Sequence, residues 1–326
     1  MTIDIGILST AHLHAGAYAP LLERLAAVRF IGIADEDHER GEEFASEHDT
    51  RYRSRDDLLS EADGVIVCST NTNRRDPIER AIEADVDILS EKPLATTATE
   101  ATRLVTLCRE AGVTLDVAMP LRHSVPAERA RTALRDGQIG SLTAITGTNR
   151  GQLPGDWFLD PDVAGGGAVM DHTVHVVDLV HWLTGERVAE VYAETTTALH
   201  DVAVEDVNLL SMTLTDGTQF TLDGSWSKPD EWSFWGDATV ELIGVDGVVS
   251  VDCFDEVVRE TTDGIESVFW GTDPNERMLR RFSRTAAGDA DPAVGVDDAI
   301  AAVQVIEAAY ESAANGKAVS VQAGSG

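Results

Sequence analysis

Residues 3–18 read IDIGILSTAHLHAGAY. Ile3 to Leu8 is an aliphatic, β-branched run of strand length, a turn follows, and apolar residues return at helical spacing from Ala17 to Val28. The same rhythm recurs with strands at Arg29 to Ala34, Gly64 to Ser69, Val86 to Ser90 and Val113 to Ala118, and helical segments at Arg74 to Ala84 and Thr99 to Ala111. Alternation of this kind predicts βαβ units and a doubly wound parallel sheet, an α/β fold. From about Leu142 the pattern changes to longer alternating stretches, such as LSMTLTDGTQFTLDGSW from Leu210 and TVELIGVDGVVSVD from Thr239, with Asp-Gly pairs at the expected hairpin turns. That half predicts an α+β domain with a large open, mainly antiparallel sheet, interrupted by a helix near Gly167 to Thr184 and closed by helices at Pro274 to Ala287 and Asp297 to Ala314. The expected domains are residues 1–120 and 121–326.

Composition narrows the function classes. The 326 residues carry 57 acidic against 25 basic side chains, a formal net charge of −32, which repels nucleic acid and anionic lipid. Only Lys92, Lys228 and Lys317 are lysines, and the acids are scattered along the chain, a pattern resembling proteins of extreme halophiles. At molar salt the Debye length is about 3 Å, so such a surface is screened yet hydrated. No apolar run approaches the roughly 18 residues of a membrane span, and MTIDIGILS lacks the basic start of a secretory signal, so a cytoplasmic protein is expected. Cys68, Cys108 and Cys253 lack Cys-x-x-Cys spacing and read as buried thiols.

In a dinucleotide-binding fold the turn after the first strand holds three glycines, whose places here are taken by Ser9, Ala11 and His14. The Ser9 and Thr10 hydroxyls, with backbone N–H groups near Ala11 and His12, are candidates for a pyrophosphate, although the segment also reads as a plain strand-to-helix turn. His12 and His14 have no third ligand nearby in sequence and read as packing or capping residues, so no metal is expected. Asp35, after the second strand, stands where a carboxylate meets the adenosine ribose and repels a 2′-phosphate, which favours NAD over NADP. Ser69, Thr70 and Asn71 at the end of the third strand complete the candidate cofactor set together with Glu91 and Lys92.

Glu91-Lys92-Pro93 follows a strand at the carboxyl edge of the sheet, where such folds bind ligands. Lysine, unlike arginine, exchanges a proton, and this sequence has almost dispensed with lysine. Within GGGAVMDHTVHVVDLVHWLTG from Gly165, the residues Asp171, His175, Asp178 and Trp182 fall within roughly 60° on one helix face. Asp171 and His175 suit general acid/base work, while the same pair also reads as ordinary helix-face hydrogen bonding.

The strand-turn start, Glu91-Lys92-Pro93-Leu94, and Gly165-Gly166-Gly167-Ala168-Val169-Met170-Asp171-x-x-x-His175-x-x-Asp178-Leu179 together resemble the Gfo/Idh/MocA oxidoreductases, the glucose–fructose oxidoreductase and inositol dehydrogenase family. The likeness runs through Glu205-Asp206-Val207 and Ser225-Trp226 to Val319. It implies a Rossmann domain and hydride transfer between a sugar or cyclitol hydroxyl and NAD(P), with Lys92, Asp171 and His175 acting at that hydroxyl. It also implies Arg122, which matches a family arginine after the fifth strand, together with Trp157, His172, Trp226 and Trp232 as candidates to line a sugar site, while those four also read as core or hairpin packing, Trp226 above all. A homodimer or homotetramer is the expected assembly. The sequence departs from the family where the loop lacks its glycines, where His172 and Thr173 replace an apolar residue and a glycine, and where Asn73-Arg74 replaces an Asn/His pair. A dinucleotide-binding regulator without turnover, or a redox-assisted lyase or glycosidase with tightly held NAD, remains the alternative.

Overall fold

The structure, a computed structural model, describes residues 2–321 apart from 233, 255, 256, 262–264 and 270. The chain divides into two compact units, Met1–Pro120 with Asn275–Ile300, and Leu121–Pro274 with Ala301–Gly326.

The first unit carries β1 (Ile3–Leu8), α1 (His14–Arg24), β2 (Val28–Ala34), α2 (His38–Glu47), α3 (Arg55–Leu59), β3 (Gly64–Val67), α4 (Arg75–Glu83), β4 (Asp87–Ser90), α5 (Ala98–Ala111) and β5 (Leu115–Val117). Its strands form one parallel sheet in the order β2-β1-β3-β4-β5. All four residues of β3 and five of six in β1 are buried, because a parallel sheet is covered by helices on both faces and needs apolar residues on both. Helix α1 starts at His14, three residues before the expected Ala17, and ends before Val28, which opens β2.

The second unit carries α6 (Val125–Arg135), β6 (Leu142–Thr148), α7 (Pro161–Ala164), α8 (Ala168–Thr184), β7 (Val188–Thr196), β8 (Val207–Leu214), β9 (Gln219–Asp223), β10 (Thr239–Gly244), β11 (Val248–Asp252), β12 (Val257–Thr261) and β13 (Ile265–Phe269). The chain continues through α9 (Pro274–Ala286) and α10 (Val296–Asn315) to β14 (Val319–Ser320). Seven strands form a sheet in the order β11-β10-β6-β9-β8-β7-β14, antiparallel except for the β6/β9 pair. Asp216-Gly217 and Asp246-Gly247 make the β8/β9 and β10/β11 turns, as their spacing predicts. Burial alternates along β8, so one face of the sheet is covered and the other, with Tyr192 and Leu209, is exposed. Helix α8 is buried on nearly every side, which fits its long apolar run.

One domain expectation is corrected. Residues 275–300 belong to the first unit, although sequence order assigned them to the second. Met278, Leu279 and Phe282 on α9 pack into the cluster of Ile5, Ile7, Tyr18 and Leu22, and the Asp116 carboxylate accepts the N–H groups of Ala293 and Val294 at 2.8 and 3.0 Å. The first sheet needs an apolar stripe to cover it, and a sequence-distant helix supplies one. Among the described residues no helix is long and apolar enough to cross a membrane.

Candidate active site

In the first unit the expected cofactor residues gather at the carboxyl ends of β1, β3 and β4. Ser9, where the first loop glycine is missing, adopts φ 64°, the left-handed conformation that glycine would take most easily. Its N–H donates to the Ala34 carbonyl at 2.7 Å, and its hydroxyl reaches Glu36 at 3.2 Å. Hydrogen bonds therefore stabilise a loop shape that the sequence alone disfavours. Helix α1 has no cap from the Leu13 side chain and no acid in its first turn, while the His14 N–H is taken by His12 Nδ1 at 3.2 Å and the His12 N–H by the Cys68 carbonyl at 2.8 Å.

Asp35 departs from its expected part. Its side chain is buried, and both oxygens are engaged inside the loop by the Thr10 N–H and hydroxyl at 2.6 Å each, the Asp37 N–H at 2.8 Å and the Arg40 guanidinium. Burial alone would raise this carboxyl, but the bonds from Arg40, Thr10 and Asp37 hold it below its usual range. It anchors Thr10 rather than presenting two oxygens to a ribose. Glu36 beside it is 33% exposed and receives Ser9, Arg40 and Asn73, so the outward-facing carboxylate lies one residue later than expected.

Glu91 is fully buried and caged by donors. The Tyr18 hydroxyl reaches Oε1 at 2.5 Å and His14 Nδ1 reaches it at 3.1 Å, while the Lys92 N–H reaches Oε2 at 3.2 Å and His12 Nε2 stands 3.9 Å away. The third neighbour that His12 and His14 lack in sequence is thus present in space, and the three side chains form the one cluster of metal-ligand type among the described residues. The His14 N–H donates to His12 Nδ1 at 3.2 Å, which leaves the His12 proton on Nε2, facing Glu91. The Tyr18, His14 and Lys92 donors hydrogen-bond the carboxylate, while His12 faces it at charge-pair distance only. Burial would raise Glu91, yet His14, His12 and Tyr18 hold it well below the carboxylate range, and burial drives His12 well below its own. Arg74, 1% exposed, donates to the carbonyls of Ser69 at 2.9 Å and Lys92 at 3.4 Å and to the Asn71 amide oxygen at 3.1 Å. It ties the β3 end to the segment bearing Lys92, and burial pushes it down to about 10, still charged at neutral pH. Thr70 lies in the same turn, and the Lys92-Pro93 peptide is cis.

In the second unit the glycines before α8 lie against Val204 and Glu205, just ahead of β8, and against Tyr310 on α10. A Cβ on Gly167 would run into the Glu205 carbonyl, and one on Gly166 into the Tyr310 hydroxyl. Glu205 accepts the N–H groups of Gly167 and Val169 at 2.9 and 3.1 Å and the Tyr310 hydroxyl at 2.8 Å, fixing the start of the helix. One turn in, Asp171 and His175 are each 8% exposed. The Asp171 Oδ2 atom is met by the Trp226 indole N–H at 3.2 Å and His172 Nε2 at 3.2 Å.

Three of the expected sugar-lining residues are buried, each against a carboxylate. Trp226 has no exposed surface and His172 only 5%, so both act on Asp171 from inside. Arg122 is 4% exposed, and its Nε donates to Asp178 at 2.6 Å in a two-pronged buried pair. Trp157 is half-buried and stacked on Phe158 at 3.9 Å, and Trp232 is exposed under Lys228, whose Nζ lies 4.4 Å from the ring centre. Trp182 carries Arg131 over its ring, so Asp178 and Trp182 share the Asp171 face in sequence but serve packing. Sequence reasoning missed Tyr18, Glu36, Arg74 and Tyr310. Tyr18 had a readable signal, because it follows His14 by one helical turn.

Comparison with known proteins gives the family of the two units. The NAD-binding Rossmann fold of the oxidoreductase family matches residues 5–119, and the GFO/IDH/MocA C-terminal domain matches residues 127–250. D-xylose 1-dehydrogenase (NADP(+)) 2 of Haloferax volcanii is 28% identical over 96% of this chain and 98% of its own. Inositol 2-dehydrogenase of Rhizobium meliloti is 25% identical over 98% and 100%. The crystal structure of GenD2 from gentamicin A biosynthesis, in complex with NAD, is similar with a TM-score of 0.89 and 25% identity, covering 99% of this chain and 97% of that one. With both domain types matched in order on the units that carry them, the chain belongs to the Gfo/Idh/MocA family of oxidoreductases.

Proposed function

We propose that this protein is an NAD(P)-dependent dehydrogenase of a secondary hydroxyl on a sugar, sugar derivative or cyclitol. The observation that carries the reading is the pair Asp171 and His175, one turn apart on a helix whose start is fixed by Glu205 and Tyr310. His175 takes the hydroxyl proton as a neutral-pH base, Asp171 orients the group being oxidised, and Lys92 is the third proposed catalytic residue, a cation able to exchange a proton. When bound, the nicotinamide supplies the hydride acceptor. The loop from Ser9 to His12, with Ser69, Thr70, Asn71 and Glu91, is the cofactor cradle. NAD is favoured over NADP because Asp35, Glu36 and Asp37 put three carboxylates against the single Arg40 where a 2′-phosphate would lie. The relatives named above include an NADP enzyme and an NAD complex, which supports dinucleotide use without choosing between them.

A homodimer or homotetramer joined on the open sheet face, where Tyr192 and Leu209 are exposed, fits the same reading. A salt-rich cytoplasm is the setting inferred from the charge of −32. The test is turnover in molar salt with NAD or NADP against aldoses, aldonates and inositols, followed by reduced-nicotinamide absorbance. NAD-linked oxidation of at least one of them is expected. Bound dinucleotide with no turnover on any would replace this reading with a regulator.

A further inference from the structure

His172 follows Asp171 directly on α8, and its two ring nitrogens face two acceptors. Nδ1 lies 3.1 Å from the Gly224 carbonyl oxygen, which can only accept, so that nitrogen carries a proton. Nε2 lies 3.2 Å from Asp171 Oδ2, the same oxygen that receives the Trp226 indole N–H. A proton on Nε2 would point at that carboxylate. The surroundings hold the ring in this pose. Trp226 meets it edge-on with centroids 6.4 Å apart, Trp235 stands at 6.1 Å, and a Cβ on Gly151 would come within 2.6 Å of its Cε1.

We propose that His172 is a positioning residue for the oxidation. Gly224 fixes the ring through Nδ1, and the ring aims Asp171 through Nε2. The inference rests on the reading that Asp171 acts at the substrate hydroxyl. It makes the two nitrogens separable by substitution. The side-chain nitrogen of glutamine reaches about as far as Nε2, and that of asparagine about as far as Nδ1.

The experiment compares His172→Gln, His172→Asn and His172→Leu with the wild type and with Asp171→Asn, using steady-state kinetics, NAD titration and melting curves. The expected result is that His172→Gln keeps kcat close to wild type, while His172→Asn and His172→Leu lose on the order of 100-fold, the scale of misplacing a reacting group by about 1 Å. KM for the dinucleotide and the melting midpoint stay put. Wild-type kcat in the asparagine or leucine variant, or a glutamine variant as poor as the asparagine one, overturns the proposal. Full turnover in Asp171→Asn instead overturns the role of Asp171, which separates the two failures. Nitrogen NMR of the wild-type histidine rings covers variants that do not fold: a protonated Nδ1 on His172 at neutral pH is expected, and a bare Nδ1 overturns the assignment.

Discussion

Asp171 and Asp178 lie two turns apart on one helix, both buried, yet they are partnered in opposite ways. Asp178 is clamped by a guanidinium, which stays protonated at any working pH and fits a carboxylate with two parallel bonds. Asp171 is met by an indole and an imidazole, donors that leave its charge less completely neutralised and its proton traffic adjustable. A helical wheel puts both aspartates on one face, and only the partner tells a structural carboxylate from one suited to chemistry. Position in the sequence is shared, while the arriving side chain, 56 residues away for Arg122 and 55 for Trp226, decides the role.

The sharpest way to break that comparison is to treat the two aspartates alike. Replacing Arg122 by methionine strands a buried charge on Asp178, and urea unfolding should show a loss of about 3–5 kcal/mol. The double variant Arg122→Met with Asp178→Leu should recover most of it, because an apolar pair avoids the desolvation that the ion pair costs. In the recovered variant, substrate KM should match wild type. A raised KM with unchanged stability would return Arg122 to the substrate and undo the contrast.

A smaller effect is expected one turn earlier on α8. Glu205→Ala removes the acceptor for Gly167, Val169 and Tyr310 and should cost about 1–2 kcal/mol in the same unfolding assay, the range for losing a helix-start acceptor. It should also lower kcat, because the frame that carries Asp171 loosens. Loss of stability with kcat untouched would mean that the helix start and the acid/base pair are independent.

What could be read from the sequence follows the same division between local and arriving partners. The parallel sheet, the antiparallel half, the two Asp-Gly turns and helix α8 were legible because hydrophobic period and turn chemistry are local properties. Residues 275–300 were misassigned because α9 covers a sheet formed some 200 residues earlier. At the site, Lys92, Asp171 and His175 stood out by residue type and spacing. The engagement of Asp35 by Arg40 and Thr10, the burial of Trp226 and the Arg74 clamp did not, since each depends on which groups face the side chain after folding. Ser9 shows the limit most clearly: it stands where the first loop glycine is expected, and its backbone takes the left-handed turn that glycine favours.

The smallest predicted effect contrasts two buried histidines. His172 faces two acceptors, whereas His12 uses Nδ1 to accept the His14 N–H and, through burial, is held well below the ordinary imidazole range. The sign of the pH dependence follows. In the unfolded chain His12 takes up a proton near pH 6.5, while the folded chain resists until lower pH, so the unfolded state binds more protons in that window. Stability is therefore full above about pH 6.5 and falls as pH drops towards the folded value, by something under about 1 kcal/mol between pH 7 and pH 6. Glu91, also held low, adds the same trend in a separate window beginning near its unfolded value of about 4.3. His12→Asn keeps an oxygen that can accept the His14 N–H but cannot titrate. Its urea midpoint at fixed high salt should change less than that of the wild type between pH 7 and pH 6, while both chains should fall together below pH 4. Equal slopes in the upper window would show that His12 takes up its proton alike in the folded and unfolded chain, and a wild type that loses less than the variant on acidification would show that His12 stays protonated in the folded cage.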